Sequence, residues 1–102
     1  MKTKVGYIGI DAGLCWVGDP CYVMGKDSGY GVKTWKEFCD KHDKAADESE
    51  FGWNACEPLG DGIGFAISTG YGDGAYPIYI ERDRDGAVSK IIVDFLDEEE
   101  EE

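Results

Sequence analysis

With 102 residues, the chain has room for one domain with its own core and too little for two. Its net charge is −12, and ten scattered Lys and Arg face 22 acids; this weighs against direct binding to a nucleic-acid backbone, which needs clustered cations. No apolar run approaches the ~20 residues of a membrane-spanning helix.

Fifteen glycines and 13% aromatic residues point to short strands joined by tight turns. Lys4 to Ile10 reads as a first strand and Asp11-Ala12-Gly13 as a turn. Leu14-Cys15-Trp16-Val17 is a second strand. Gly18-Asp19-Pro20 interrupts it, because proline cannot donate to a ladder, and Cys21 to Met24 resumes the extended pattern. Gly25 to Gly31 is a polar, Gly-rich loop.

The spacing predicts one helix, from Thr34 to about Asp47. Thr34 and Glu37 form a capping box. Trp35, Phe38, Cys39, His42 and Ala46 recur at helical spacing as its apolar face. Glu37 with Lys41, and Asp40 with Lys44, stand in the favourable i,i+4 order. Trp53 to Pro58 reads as irregular, Ile63 to Thr69 as a strand, and Gly70 to Gly74 as a turn. A final hairpin runs out over Ala75 to Arg82, turns at Asp83-Arg84-Asp85-Gly86 and returns over Ala87 to Leu96. On the return strand Ala87, Ser89, Ile91, Val93 and Phe95 share the face expected to pack inward.

These elements predict an α+β fold: a mainly antiparallel sheet or small barrel of five to six strands, with one helix packed on a face. Residues 1–96 are expected to form a single globular domain. Residues 97–102 carry half of the net charge and are expected to be a disordered acidic tail, either a solubilising end or an arm aimed at a basic partner surface. Met1-Lys2-Thr3-Lys4 leads straight into the first strand, so no signal peptide is expected, and a cytoplasmic setting would keep the four cysteines reduced.

No motif supplies a catalytic or metal-binding set. Gly60-x-Gly62-x-Gly64 and Gly70-x-Gly72-x-Gly74 lack the strand and helix that frame a dinucleotide fingerprint, and lack the Lys-Ser/Thr of a phosphate loop. Glu81, Asp83, Asp85 and Gly86 match positions of a calcium loop, but Ile92 stands where its bidentate Glu belongs, so a hairpin turn is favoured. Cys15, Cys21, Cys39 and Cys56 lack zinc-site spacing and read as small buried hydrophobes. Cys39 and His42 share a helix face with Trp35 and Phe38, so a core histidine is favoured over a nucleophile pair. Neither a cofactor nor a metal is expected.

Two acidic turns stand out. Asp19 sits in Gly-Asp-Pro-Cys-Tyr and Asp73 in Tyr-Gly-Asp-Gly-Ala-Tyr-Pro. If the turns adjoin, Asp19, Tyr22, Tyr71, Asp73 and Tyr76 would line one polar-aromatic pocket or contact surface. The simpler alternative is that each Asp caps its own turn.

Residues 11–22 (Asp-Ala-Gly-Leu-Cys-Trp-Val-Gly-Asp-Pro-Cys-Tyr) and 68–79 (Ser-Thr-Gly-Tyr-Gly-Asp-Gly-Ala-Tyr-Pro-Ile-Tyr), followed by Val93-Asp94-Phe95, resemble stretches of small phage-encoded proteins of unknown function. They are also similar to a bacterial domain-of-unknown-function family with a Gly-Asp-Gly-x-Tyr-Pro-Val-Tyr type motif. The resemblance implies a context, a phage accessory protein in the cytoplasm of its bacterial host, and transfers no catalytic residue. The expectation is a non-enzymatic protein that binds a host protein or a small ligand and interferes with a host process, by acidic mimicry or by sequestration. The alternatives are a small carboxylate-metal-dependent hydrolase built on Asp19 and Asp73, and a minor virion or assembly factor.

Overall fold

The computed structural model describes residues 1–24 and 31–96. The acidic tail, and the Gly-rich loop except for Gly31, lie outside the described residues. The chain forms two compact units, Met1–Gly13 with Gly70–Glu102, and Leu14–Thr69. The order of elements is β1 (Thr3–Ile10), β2 (Leu14–Gly18), α1 (Cys21–Met24), α2 (Trp35–Glu48), a 3-10 turn (Gly52–Asn54), β3 (Ala55–Cys56), β4 (Gly64–Ser68), β5 (Gly74–Arg82) and β6 (Val88–Val93). This is an α+β fold, with the strands shared between two antiparallel three-stranded sheets. The barrel alternative is not realised. One sheet runs β1-β5-β6 and the other β2-β4-β3, and among the described residues neither closes on itself.

In the first unit β5 is central and pairs with β1 through Tyr7↔Pro77 and Ile8↔Tyr76, and with β6 through Tyr79↔Ile92 and Ile80↔Ile91. Pro77 stands in this central strand and is fully buried. Its carbonyl accepts from Asp94 N–H at 3.1 Å, but it has no N–H to return, and the β6 ladder ends one residue earlier at Val93. The hairpin turn is built on Asp83, whose Oδ1 accepts from the Asp85 and Ala87 amides at 2.9 and 3.0 Å. A bulge at Glu81/Arg82 shifts the register there. The return strand departs from simple alternation. Val93 and Phe95 are half-buried as expected, but Ile91 is 59% exposed, because an edge strand has a neighbour on one side only.

In the second unit α2 packs on its sheet through small residues. Ala46, Cys56 and Ala66 form the buried cluster, with Trp16, Phe38 and Ala45 against it. Small side chains at this seam let the helix approach the strands closely. Thr34 caps α2 by accepting from Glu37 N at 3.1 Å, and Glu37 in turn accepts from Lys33 N at 3.2 Å. At the other end Ser49 Oγ donates to Ala55 O and accepts from Phe51 N, which ties the helix exit to β3. Asp40 pairs with Lys36, one turn before it, at 2.8 Å, rather than with Lys44 as the spacing predicted.

Three further expectations are corrected. Cys21 to Met24 is not extended but a single helical turn. Asp19 stands at its N-cap and Pro20 at its first position, where a missing N–H costs nothing. Ala55–Cys56 is a short strand on β4, through Ala55↔Ile67 and Cys56↔Ala66, rather than irregular chain. Trp35 does not turn into the core; it is 60% exposed on the first turn of α2, while His42 and Ala46 are buried.

Gly64 explains the register of the β2/β4 pair. A Cβ there would lie 2.4 Å from Cζ2 of Trp16 and 2.7 Å from its Cη2. Gly64→Ala is therefore expected to lower stability by about 1–3 kcal/mol through overpacking, read as a lower urea midpoint. Tyr76→Phe removes a hydroxyl that donates to Gly72 O at 2.7 Å, with an expected cost of about 1 kcal/mol in the same measurement.

Candidate functional site

The residues singled out in the sequence fall in different units: Asp19 and Tyr22 in the second, Tyr71, Asp73 and Tyr76 in the first. Asp19 has a defined local task. Its Oδ1 accepts from Cys21 N at 3.0 Å, while Tyr22 N donates to its backbone carbonyl at 3.2 Å. The bond from the Cys21 amide, and then the one from the Cys21 thiol, hold the Asp19 carboxyl below its ordinary range. The same carboxylate pushes the Cys21 thiol up. Tyr22 follows on the helical turn and is half-buried.

Asp73 behaves differently. It is exposed and its carboxylate has no partner among the described residues. Its turn is held instead by the Tyr76 hydroxyl on Gly72 O, with Gly70 and Gly72 at φ 76° and 81°. Tyr76 itself is buried, and its ring meets Phe95 edge-on at 5.2 Å. Tyr71 is 63% exposed.

The sequence reading missed a mainly apolar groove of about 470 Å³ in the second unit. Trp16 of β2, Val23 of α1 and Trp35 and Phe38 of α2 line it, with Val32 and Lys33 where the chain enters α2. Its volume and mainly apolar lining are those of a small-molecule site. The Trp35 and Phe38 rings lie 12° from parallel with centroids 5.4 Å apart, and Trp16 meets Phe38 edge-on at 6.1 Å. Trp16 Nε1 is buried and has no acceptor among the described residues. The signal in the sequence was Val32, Trp35 and Phe38 at three-residue intervals, more apolar surface than the start of a helix needs.

A second concavity of about 340 Å³ is acidic. Glu48, Glu50, Glu57 and Asp61 border it beside Phe51, which is 62% exposed. Glu57 already accepts from Gly62 N at 2.6 Å.

His42 is buried between Phe38, stacked at 6.3 Å, and Trp53, edge-on at 4.9 Å. Its Nδ1 is 4.0 Å from Asp43, too far for a hydrogen bond, and its Nε2 has no partner among the described residues. Cys15 and Cys56 are buried and their thiols are pushed up by burial, as expected of small hydrophobes, whereas Cys21 is exposed. Among the described residues no three His, Cys, Asp or Glu converge as metal ligands would, and no helix is long and apolar enough to cross a membrane.

The family model described as "Protein of unknown function (DUF4241)" matches residues 8–93, which span both units. No curated protein and no solved structure matches the chain.

The Asp19–Cys21 pair predicts a titration. The folded carboxyl is lowered, so the cap is intact above the ordinary carboxylate range and is lost as pH falls through the lowered value. The Cys21 amide signal should move in that step, and Asp19→Asn should abolish the movement while keeping a capping oxygen. The same variant should speed alkylation of Cys21 at pH 8, since the thiol loses its anionic neighbour. In the native protein Cys21 should react well before Cys15 and Cys56.

Proposed function

The chain belongs to the DUF4241 family, whose description assigns no activity, and we propose from its own residues that it is a non-enzymatic binding protein that holds a small ligand in the groove of its second unit. The observation that carries this reading is the groove itself: a concave, mainly apolar surface walled by three aromatic rings that one helix and one strand position. A core would have covered Trp35, yet this ring remains mostly exposed at the groove's edge. Together with the phage-like motifs, the groove fits sequestration of a ligand in the cytoplasm of an infected bacterium.

Amide shift mapping with a fragment mixture tests this. Saturable shifts should cluster at Val23, Val32 and Phe38, and Trp35→Ala should weaken them while changing the unfolding free energy by no more than about 0.5 kcal/mol, as for a surface residue. Shifts that cluster elsewhere, or none at all, would count against the groove.

The acidic concavity favours a second reading, in which the anionic surface occupies a basic site on a host protein. Association by that route should weaken steeply between 50 and 500 mM salt and on joint Glu48→Gln, Glu50→Gln and Asp61→Asn substitution. Binding that ignores salt would rule it out.

A further inference from the structure

We infer that the outer edge of β6 pairs with the same edge of a second copy of the chain, antiparallel, with Ile92 opposite Ile92 on a two-fold axis. The pairing joins two copies of the β1-β5-β6 sheet into one. It is independent of the groove in the other unit.

Among the described residues β6 pairs with β5 alone, and Val88 and Ile91 on it are 51% and 59% exposed. The outer backbone groups of such a strand are a template for another chain, which proteins usually blunt with charge, proline or a bulge. Val-Ser-Lys-Ile-Ile-Val carries one charge and no proline. The other outer strand of the sheet, β1, is broken by a register shift between Lys4 and Gly6 and weakened by Gly9.

Backbone geometry narrows the partner's register. The Asp94 amide donates inward to Pro77 O. Inward and outward groups alternate along an antiparallel strand, so Lys90 and Ile92 also face β5, and Ile91 and Val93 turn their N–H and C=O outward. The bulge at Glu81/Arg82 interrupts this alternation before Lys90, which leaves Lys90 to Asp94 as the regular edge. A second copy must set outward residues against outward ones, so the axis passes through a residue and not between two. The axis at Ile92 is the one that uses the whole of Lys90 to Asp94. It pairs Ile91 with Val93 of the other copy on both sides of the axis and makes about four interchain hydrogen bonds.

The charges select the same register. Lys90, Ile92 and Asp94 share one face of the strand. With the axis at Ile92, each Lys90 stands opposite Asp94 of the other copy. An axis at Lys90 or Asp94 would oppose like charges, and an axis at Ile91 or Val93 would set both charges against apolar residues. The Lys90 ammonium lies 3.9 Å from Glu81 on its own sheet and its side chain is 61% exposed, so it has donors to spare. Asp94 Oδ1 accepts from Leu96 N, and a carboxylate accepts several such bonds. Lys90 and Asp94 are thus complementary to the same strand turned end for end, which makes a second copy the fitting occupant of this edge.

Sedimentation of the full chain tests this. An interface of one strand pair is small, so dimer should accumulate between about 10 μM and about 1 mM. Ile91→Pro removes an outward N–H that the β5 ladder does not use; it should keep the Tyr79 and Ile80 amide signals in place and weaken dimerisation at least about tenfold. Lys90→Asp and Asp94→Lys each oppose like charges and should each weaken it about tenfold. An equimolar mixture of these two variants restores opposite charges at both positions and should regain the native affinity to within about threefold. A chain that stays monomeric at about 1 mM, or an Ile91→Pro variant that dimerises as the native chain does, would overturn the inference. So would a mixture that associates no better than its components, because the register would then be wrong. Ile91→Pro decides the edge whether or not the charge variants fold.

Discussion

The six-membered ring of Trp16 fills the space in which a side chain at position 64 would begin, and much of the second unit follows from that contact. β2 and β4 pair through Trp16↔Ala66 and Gly18↔Gly64, so the large residue lies diagonally over the absent one. With the indole seated there, Phe38 meets it edge-on, and the helix comes down on Ala46 against Cys56 and Ala66. Trp16 thus both packs against the core cluster and lines the groove.

The charges are arranged in the same economical way. Acids crowd the chain, yet those with defined partners act locally: Asp19 starts α1, Glu37 reaches back to Lys33 N, and Asp83 closes the hairpin turn. The rest contribute to a net charge of −12.

Much of the fold was legible because its signals are local. The Thr34–Glu37 box set the start of α2, and Asp85-Gly86 set the hairpin. Reading went astray where two local rules competed. In Gly-Asp-Pro-Cys-Tyr the proline was taken as a strand breaker, although Asp followed by Pro is equally a helix start, and the backbone chose the latter. β3 has two residues, too few for any periodicity, and exists only because β4 offers an edge. Trp35 matched the apolar spacing of α2, but in the first turn of the helix it stays 60% exposed. The groove was hidden for a different reason. Its walls come from β2, α1 and α2, and nothing in a linear pattern says which apolar faces will be left open to one another. Nor does a linear pattern show that Gly64 leaves room for the indole of Trp16.

The pairing of Ile10 with Gly74 has a temporal meaning. β1 precedes β5, its one partner among the described residues, by about sixty residues, a wide loop to close for one strand. The intervening unit has its own sheet and helix and can fold meanwhile; the β5–β6 hairpin then forms by local contacts, and the waiting β1 is added last. Until β5 has been made, the nascent chain therefore carries β1 as a lone strand with Val5 and Tyr7 in water, and this is when the first unit is most prone to aggregate.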